Sequence, residues 1–167
     1  MSQAVVAAIK ERFGDAVVST HQWRGDDTVV VKRDRLVEVA RFLKTDPDMA
    51  FNLPIDVCGV DYLGQREPRF EVVYHFASIG HRHRIRLKVQ VDEAPEECWV
   101  PTLTGVWRGV DWFEREVWDM YGVRIEGHPN HQRILLYEEF EGHPLRKDYP
   151  QRAYQPLMPM PTLPREN

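Results

Sequence analysis

An α+β fold, a mostly antiparallel sheet with helices packed on one face followed by an extended proline-rich tail, is what this 167-residue sequence predicts. Two runs of strict apolar/polar alternation separated by a turn supply the sheet. Two segments with apolar residues at helical spacing supply its cover. At this length folding removes roughly 70% of the unfolded chain's surface from water, enough for one core. The domain is drawn over residues 1–149, with 150–167 as the tail.

From Gln3 to Phe13 the apolar residues Val5, Val6, Ile9 and Phe13 recur with helical period, and Gly14 is placed to end that helix. Val29 to Val31 read as a short strand. Asp34 can then cap a helix carrying Leu36, Val37, Ala40 and Leu43, which Asp46-Pro47 closes. A further strand is expected around Ile55 to Tyr62. The clearest hairpin follows: Phe70, Val72, Tyr74 and Phe76 alternate with Glu71, Val73 and His75, the chain turns near Gly80, and Ile85, Leu87, Val89 and Val91 alternate with Arg84, Arg86, Lys88 and Gln90. After Pro150, prolines at 156, 159, 161 and 164 exclude regular helix, and Leu157, Met158, Met160 and Leu163 suit a segment laid along a partner.

Bulk composition removes several classes of function. With 43% hydrophobic and 29% charged residues the chain is neither disordered by composition nor membrane-embedded. No run approaches the ~20 apolar residues that cross a bilayer, and the first residues lack the apolar core of a signal peptide, so a cytoplasmic location is expected. Attachment to a membrane would then be peripheral and indirect. A net charge of −4 argues against bulk attraction to nucleic acid or anionic lipid. Two cysteines, Cys58 and Cys98, fall short of the four thiolates an iron–sulfur cluster ordinarily needs. Glycine-rich nucleotide-binding motifs and serine or cysteine triad signatures are absent from the sequence, so nicotinamide chemistry is expected elsewhere.

The densest chemistry lies between Asp111 and Tyr149. Asp111 and Glu114 have capping-box spacing, and Phe113, Val117, Met120 and Tyr121 form one side of a helix over 111–121 that Gly122 can end. Trp112, Glu114, Arg115, Glu116, Trp118 and Asp119 occupy the remainder, with Arg115 and Asp119 one turn apart. A solvated helix with one internal ion pair is one reading. Tryptophan and arginine together favour another, a docking surface. Glu114, Glu116 and Asp119 offer no acid/base pair, because adjacent turns of one exposed helix give no desolvated pocket to separate their pKa values.

The run from Trp112 to Val123 (WFEREVWDMYGV), then Gly127-His128-Pro129, Arg133-Ile134-Leu135 and Gly142-His143-Pro144-Leu145-Arg146-Lys147-Asp148-Tyr149-Pro150, resembles the NuoC-type subunits of bacterial respiratory complex I, the NADH:quinone oxidoreductase. Ile55-Asp56-Val57, Val60-Asp61-Tyr62 and Val100-Pro101-Thr102-Leu103-Thr104-Gly105 extend the likeness upstream, so that it covers about Leu53 to Pro150. Trp118 departs from the tyrosine such subunits have there. The resemblance implies a non-catalytic docking subunit on the cytoplasmic side of the bacterial inner membrane. Its partners would be the large subunit that shapes the quinone cavity and neighbouring iron–sulfur subunits, with FMN, iron–sulfur clusters and quinone in those partners and none in this chain. Trp112, Glu114, Arg115, Glu116, Trp118, Asp119, His128, Arg133, His143, Arg146, Lys147, Asp148 and Tyr149 are the interface residues it implies. On that reading Arg115 and Asp148 serve a protein contact and not the domain's own fold.

Three alternatives compete. Membrane-bound nickel–iron hydrogenases and ferredoxin-linked relatives contain similar subunits. His128, His131 and His143 are close enough in sequence for a small metal-dependent hydrolase, although two of them sit in Gly-His-Pro turns where a backbone hydrogen bond is the ordinary use. Arg82, Arg84, Arg86 and Lys88 form a basic stripe that could meet RNA, but the aromatics needed for stacking, Phe70, Tyr74 and Phe76, fall with the buried set.

Overall fold

The predicted hairpin is the middle of a five-stranded sheet. A computed structural model describes residues 2–152 and 154–156, and the expected hydrophobic tail residues Leu157, Met158, Met160 and Leu163 lie outside them. Helix α1 (Ser2–Phe13) leads through a short 3-10 turn into strand β1 (Val17–Trp23) and strand β2 (Asp26–Val31). Helix α2 (Leu36–Thr45) precedes β3 (Leu53–Asp61), β4 (Phe70–Ser78) and β5 (His83–Val91). The sheet order is β1-β2-β5-β4-β3, antiparallel throughout except where β2 runs parallel to β5. Strands β6 (Trp99–Pro101) and β7 (Arg124–Glu126) form a separate parallel pair around helix α3 (Asp111–Tyr121).

Period-two alternation decides which residues meet. Phe70, Val72, Tyr74 and Phe76 stand opposite Val91, Val89, Leu87 and Ile85, and all eight are buried. Leu36, Val39, Ala40 and Leu43 of α2 and Val5, Ile9 and Phe13 of α1 close over that face, each fully buried apolar side chain contributing about 1.5–3 kcal/mol. Val39 takes the place expected for Val37, which is half-buried. Trp107 completes the layer: its ring stacks on Phe76 at 4.3 Å and its indole N–H donates to the Phe51 carbonyl at 3.1 Å.

One local expectation is corrected, and three strands appear that the sequence did not offer. Asp34 does not cap α2, because Arg33–Arg35 wind into a 3-10 turn and α2 starts without a side-chain cap. The β1 strand has no counterpart among the sequence-based elements, since most of its residues are exposed on a sheet edge and show no alternation. The two short strands β6 and β7 lack the length for a periodic pattern.

Helix α3 packs against β3. Gly59 makes the approach possible: a Cβ there would lie 2.5 Å from a ring carbon of Tyr121. Gly59→Ala is therefore expected to destabilise the chain by about 1–3 kcal/mol through overpacking. Urea unfolding checks this, and combining it with Tyr121→Ala should return part of the loss.

Candidate functional site

The signature helix is placed by its ends. Gly122, at φ 78°, provides the left-handed C-terminal residue that a side chain would resist, and its N–H donates to the Trp118 carbonyl at 2.8 Å. At the other end the cap position is Val110, with no side-chain hydrogen bond, so the capping box predicted from Asp111 and Glu114 is not formed.

Glu114 has another use. It is 0% exposed, accepting from the Leu103 N–H at 2.7 Å and from the Thr102 hydroxyl at 2.6 Å, and so ties α3 to the loop after β6. Burial pushes its pKa up to about 7 against the pull of those two donors, with the nearby Asp111 adding to the rise. The expectation that no carboxylate of this helix is desolvated is thereby overturned for Glu114.

Asp119 is equally buried and does the opposite. Its Oδ2 accepts from the N–H groups of Ile134, Leu135 and Leu136 at 3.1, 2.9 and 3.0 Å, while Oδ1 accepts from Arg133 at 2.6 Å. Burial opposes ionisation, but these donors together hold the carboxyl below its usual range. Arg133 also reaches the carbonyls of Phe140 and Gly142, at 2.8 and 3.2 Å. The expected Arg115–Asp119 ion pair is replaced: Arg115 donates to the carbonyls of Gln132 and Arg133 at 3.0 and 2.8 Å. One helix thus gathers a loop with almost no regular structure of its own.

The histidines serve the same loop. The His128 ring pairs with the Asp111 carbonyl at 3.2 Å and takes the Asn130 N–H at 3.1 Å. His131 accepts from the Ile125 N–H at 3.2 Å, and His143 bonds the Asp119 carbonyl at 3.0 Å while lying where a Cβ of Gly122 would be. The three rings do not converge on a common point, and each is committed to backbone.

Beyond the loop, the segment from Gly142 to Tyr149 is fastened to the sheet by a guanidinium. Arg69, 3% exposed at the start of β4, makes a two-pronged contact with Asp61 at 3.0 and 2.8 Å and another with Asp148 at 3.0 and 2.8 Å, and also meets Glu93 at 2.8 Å. Asp61 further accepts from the N–H groups of Lys147 at 2.8 Å and Leu63 at 2.9 Å. Burial works against its charge, but Arg69 and these donors bring its pKa down to about 2. Asp148, bonded to Arg69 and Arg146, sits well below the carboxylate range. Arg146 packs over the Phe70 ring at 5.1 Å. Chain beyond Pro150 continues the wrap: Gln155 donates to the Glu141 carbonyl at 3.1 Å and to the Tyr149 hydroxyl.

Of the residues expected at an interface, the structure takes Glu114, Asp119 and the His128 ring inside the chain. Arg115, Arg133, His143, Arg146 and Tyr149 are half-buried in the wrap, and Trp118 packs between it and the core. Asp148 and Arg115 both have duties within the fold that the sequence reading did not assign. Trp112, 70% exposed, Glu116 and Lys147 remain on the surface. Leu135 and Leu145 are exposed as well. Arg69 and Glu93 gave no signal in the sequence; Asp61 was visible only within the Val60-Asp61-Tyr62 resemblance. The basic stripe of β5 is partly neutralised, Lys88 by Glu71 at 2.8 Å and Arg86 by Asp26 at 3.7 Å.

The family described as "Respiratory-chain NADH dehydrogenase, 30 Kd subunit" matches residues 29–155. The chain belongs to that family. It is 49% identical over 149 residues to a NuoC-type subunit of NADH-quinone oxidoreductase from Rhizobium etli, covering 89% of this chain and 78% of the relative. The corresponding subunit from a Roseiflexus species is 51% identical over 146 residues, covering 87% and 82%. Among solved structures, a trypsin-resistant fragment of Nqo5 superimposes with a TM-score of 0.67 at 32% identity, over 78% of this chain and 99% of that one. A chain of an archaeal membrane-bound sulfane sulfur reductase shares the fold, with a TM-score of 0.73 at 22% identity, over 91% and 87%. Among the described residues no helix is long and apolar enough to cross a membrane.

Two buried carboxyls give opposite pH signatures. Glu114 has its folded pKa raised from 4.5 to about 7, so its contribution to stability is whole below 4.5 and is lost as pH rises through about 7. Glu114→Gln should flatten that decline and be the more stable protein above pH 7. Asp61 is lowered from 3.8 to about 2, so its contribution is present above 3.8 and disappears as pH falls through about 2. Asp61→Asn should reduce the loss of stability in that acid window. Denaturant unfolding across pH measures both, and unchanged profiles would contradict the assignments.

Proposed function

We propose that this chain is a docking subunit of a proton-translocating NADH:quinone oxidoreductase, with no redox group or catalytic residue of its own. Its partners on this reading are the large subunit that shapes the quinone cavity and adjacent iron–sulfur subunits, met on the cytoplasmic side of the bacterial inner membrane. NADH oxidation, electron transfer through flavin and clusters, and quinone reduction belong to those partners.

The observation that carries the docking role is Trp112. The signature helix turns Glu114, Arg115 and Asp119 inward, on Thr102, Leu103 and the 132–136 segment, yet leaves a tryptophan 70% exposed at its start. A large rigid aromatic left in water on an otherwise fixed helix is a characteristic interface anchor. The relatives, named as subunits of NADH-quinone oxidoreductase, supply the class of partner.

Affinity purification of the tagged chain from mildly solubilised native membranes tests the assignment. Copurification with flavin, iron–sulfur and membrane-arm subunits and with NADH:quinone activity is expected; recovery with hydrogenase-type components, or alone, overturns it. Trp112→Ala is expected to weaken assembly by about 2 kcal/mol or more, roughly 30-fold in affinity. Native gels of mutant membranes would show less assembled complex, while the isolated chain's stability stays within about 0.5 kcal/mol of the parent.

A further inference from the structure

The face of the sheet opposite the helices carries a cluster that the docking role does not use. Asp56 and Cys58 lie two residues apart on β3, so both project to this side, and antiparallel pairing sets Asp56 directly across from His75 on β4. A bulge between Pro54 and Asp56 creates that register; an unbroken ladder would have set Ile55 opposite His75. One donor atom from each, a carboxylate oxygen, a sulfur and an imidazole nitrogen, all lie within 4.8 Å of one another. All three side chains are half-buried: shielded enough to bind, open enough to be reached.

We propose that Asp56, Cys58 and His75 form a binding site for a zinc-type divalent cation, with the fourth position left to solvent. The donor set matches borderline metals that accept sulfur, nitrogen and oxygen together, and alkaline-earth ions would be refused because they want oxygen alone. Metal–ligand bonds of about 2.0–2.3 Å in a tetrahedron place ligands about 3.5 Å apart, so rotamer adjustments of about 1 Å close the site without moving the strands. Burial, with Arg86 adding, holds His75 below its usual pKa, and burial, with Asp56 adding, holds the Cys58 thiol above its own. Binding displaces the Cys58 thiol proton to solvent. The cations on this face, Arg86 and Lys88, have their own acidic partners in Asp26 and Glu71, which limits their repulsion of an incoming ion.

The test is titration of the metal-free, reduced full chain with Cd2+ and Co2+, followed by the ultraviolet thiolate-to-metal charge-transfer band. Expected are a stoichiometry of one, protection of Cys58 from alkylation by bound metal, and no band in Cys58→Ser. His75→Ala and Asp56→Asn, on different strands, should each weaken binding by about 10–100-fold or more, with the circular dichroism of the chain unchanged. Absence of a band, or a band of unaltered affinity in Asp56→Asn and His75→Ala, would reduce the cluster to a lone thiol and overturn the site. Neither result bears on assembly of the complex.

Discussion

Arg69 is buried and charged, and a guanidinium in that position must be neutralised within the fold or the fold does not form. Asp61 at the end of β3, Glu93 just after β5 and Asp148 near the end of the described chain all meet it. Only the Arg69–Asp61 pair is buried on both sides, and removing Arg69 would leave the Asp61 carboxylate enclosed without its counter-charge, at a cost of about 3–5 kcal/mol. Residues separated by 79 positions are thereby held in register at one end of the sheet. The segment from Gly142 to Pro150 has no helix or strand to fix it, and this ionic clasp supplies what secondary structure does not.

Asp119 performs the companion task at the other side of α3. A single carboxylate collects three consecutive backbone N–H groups and Arg133, which gives the 133–136 turn partners for donors that would otherwise be unsatisfied. With Arg115 and the three histidines bonded to carbonyls and amides, the polar side of the signature helix is largely a spool for the loop that follows. On the outside of the spool Trp112, Leu135 and Leu145 are exposed. Under the docking role proposed above, a rigid helix that organises a long irregular segment would present a shaped contact surface at little ordering cost on assembly.

The opposite behaviour of Glu114 and Asp119 reflects both how many donors each receives and how deeply each is desolvated, with Asp111 adding to the rise at Glu114. Both side chains are fully enclosed, but Asp119 receives three amides and a guanidinium, whereas Glu114 receives one amide and one hydroxyl. The first set exceeds the desolvation penalty and the second does not.

The central hairpin and the three helices were legible because each rests on a local period: two for Phe70–Phe76 and Ile85–Val91, and 3.6 for Val5–Phe13, Leu36–Leu43 and Phe113–Tyr121, whereas the edge strand β1 has no such period. Gly122 as the end of α3 was equally local, since only the left-handed conformation is at stake. The family, too, was written in the run from Trp112 to Tyr149. What sequence could not show was where the polar residues of that run point. Asp111 and Glu114 have the spacing of a capping box, and Arg115 and Asp119 that of a helical ion pair, yet tertiary donors from Leu103, Arg133 and the 134–136 backbone outcompete both. Arg69 carries no periodic or motif signal, and its partners come together only when the sheet folds. Local patterns fix elements because they depend on neighbours in sequence; the ionic clasp, the inward carboxylates and the Asp56–Cys58–His75 grouping depend on neighbours in space, which the sequence order does not display.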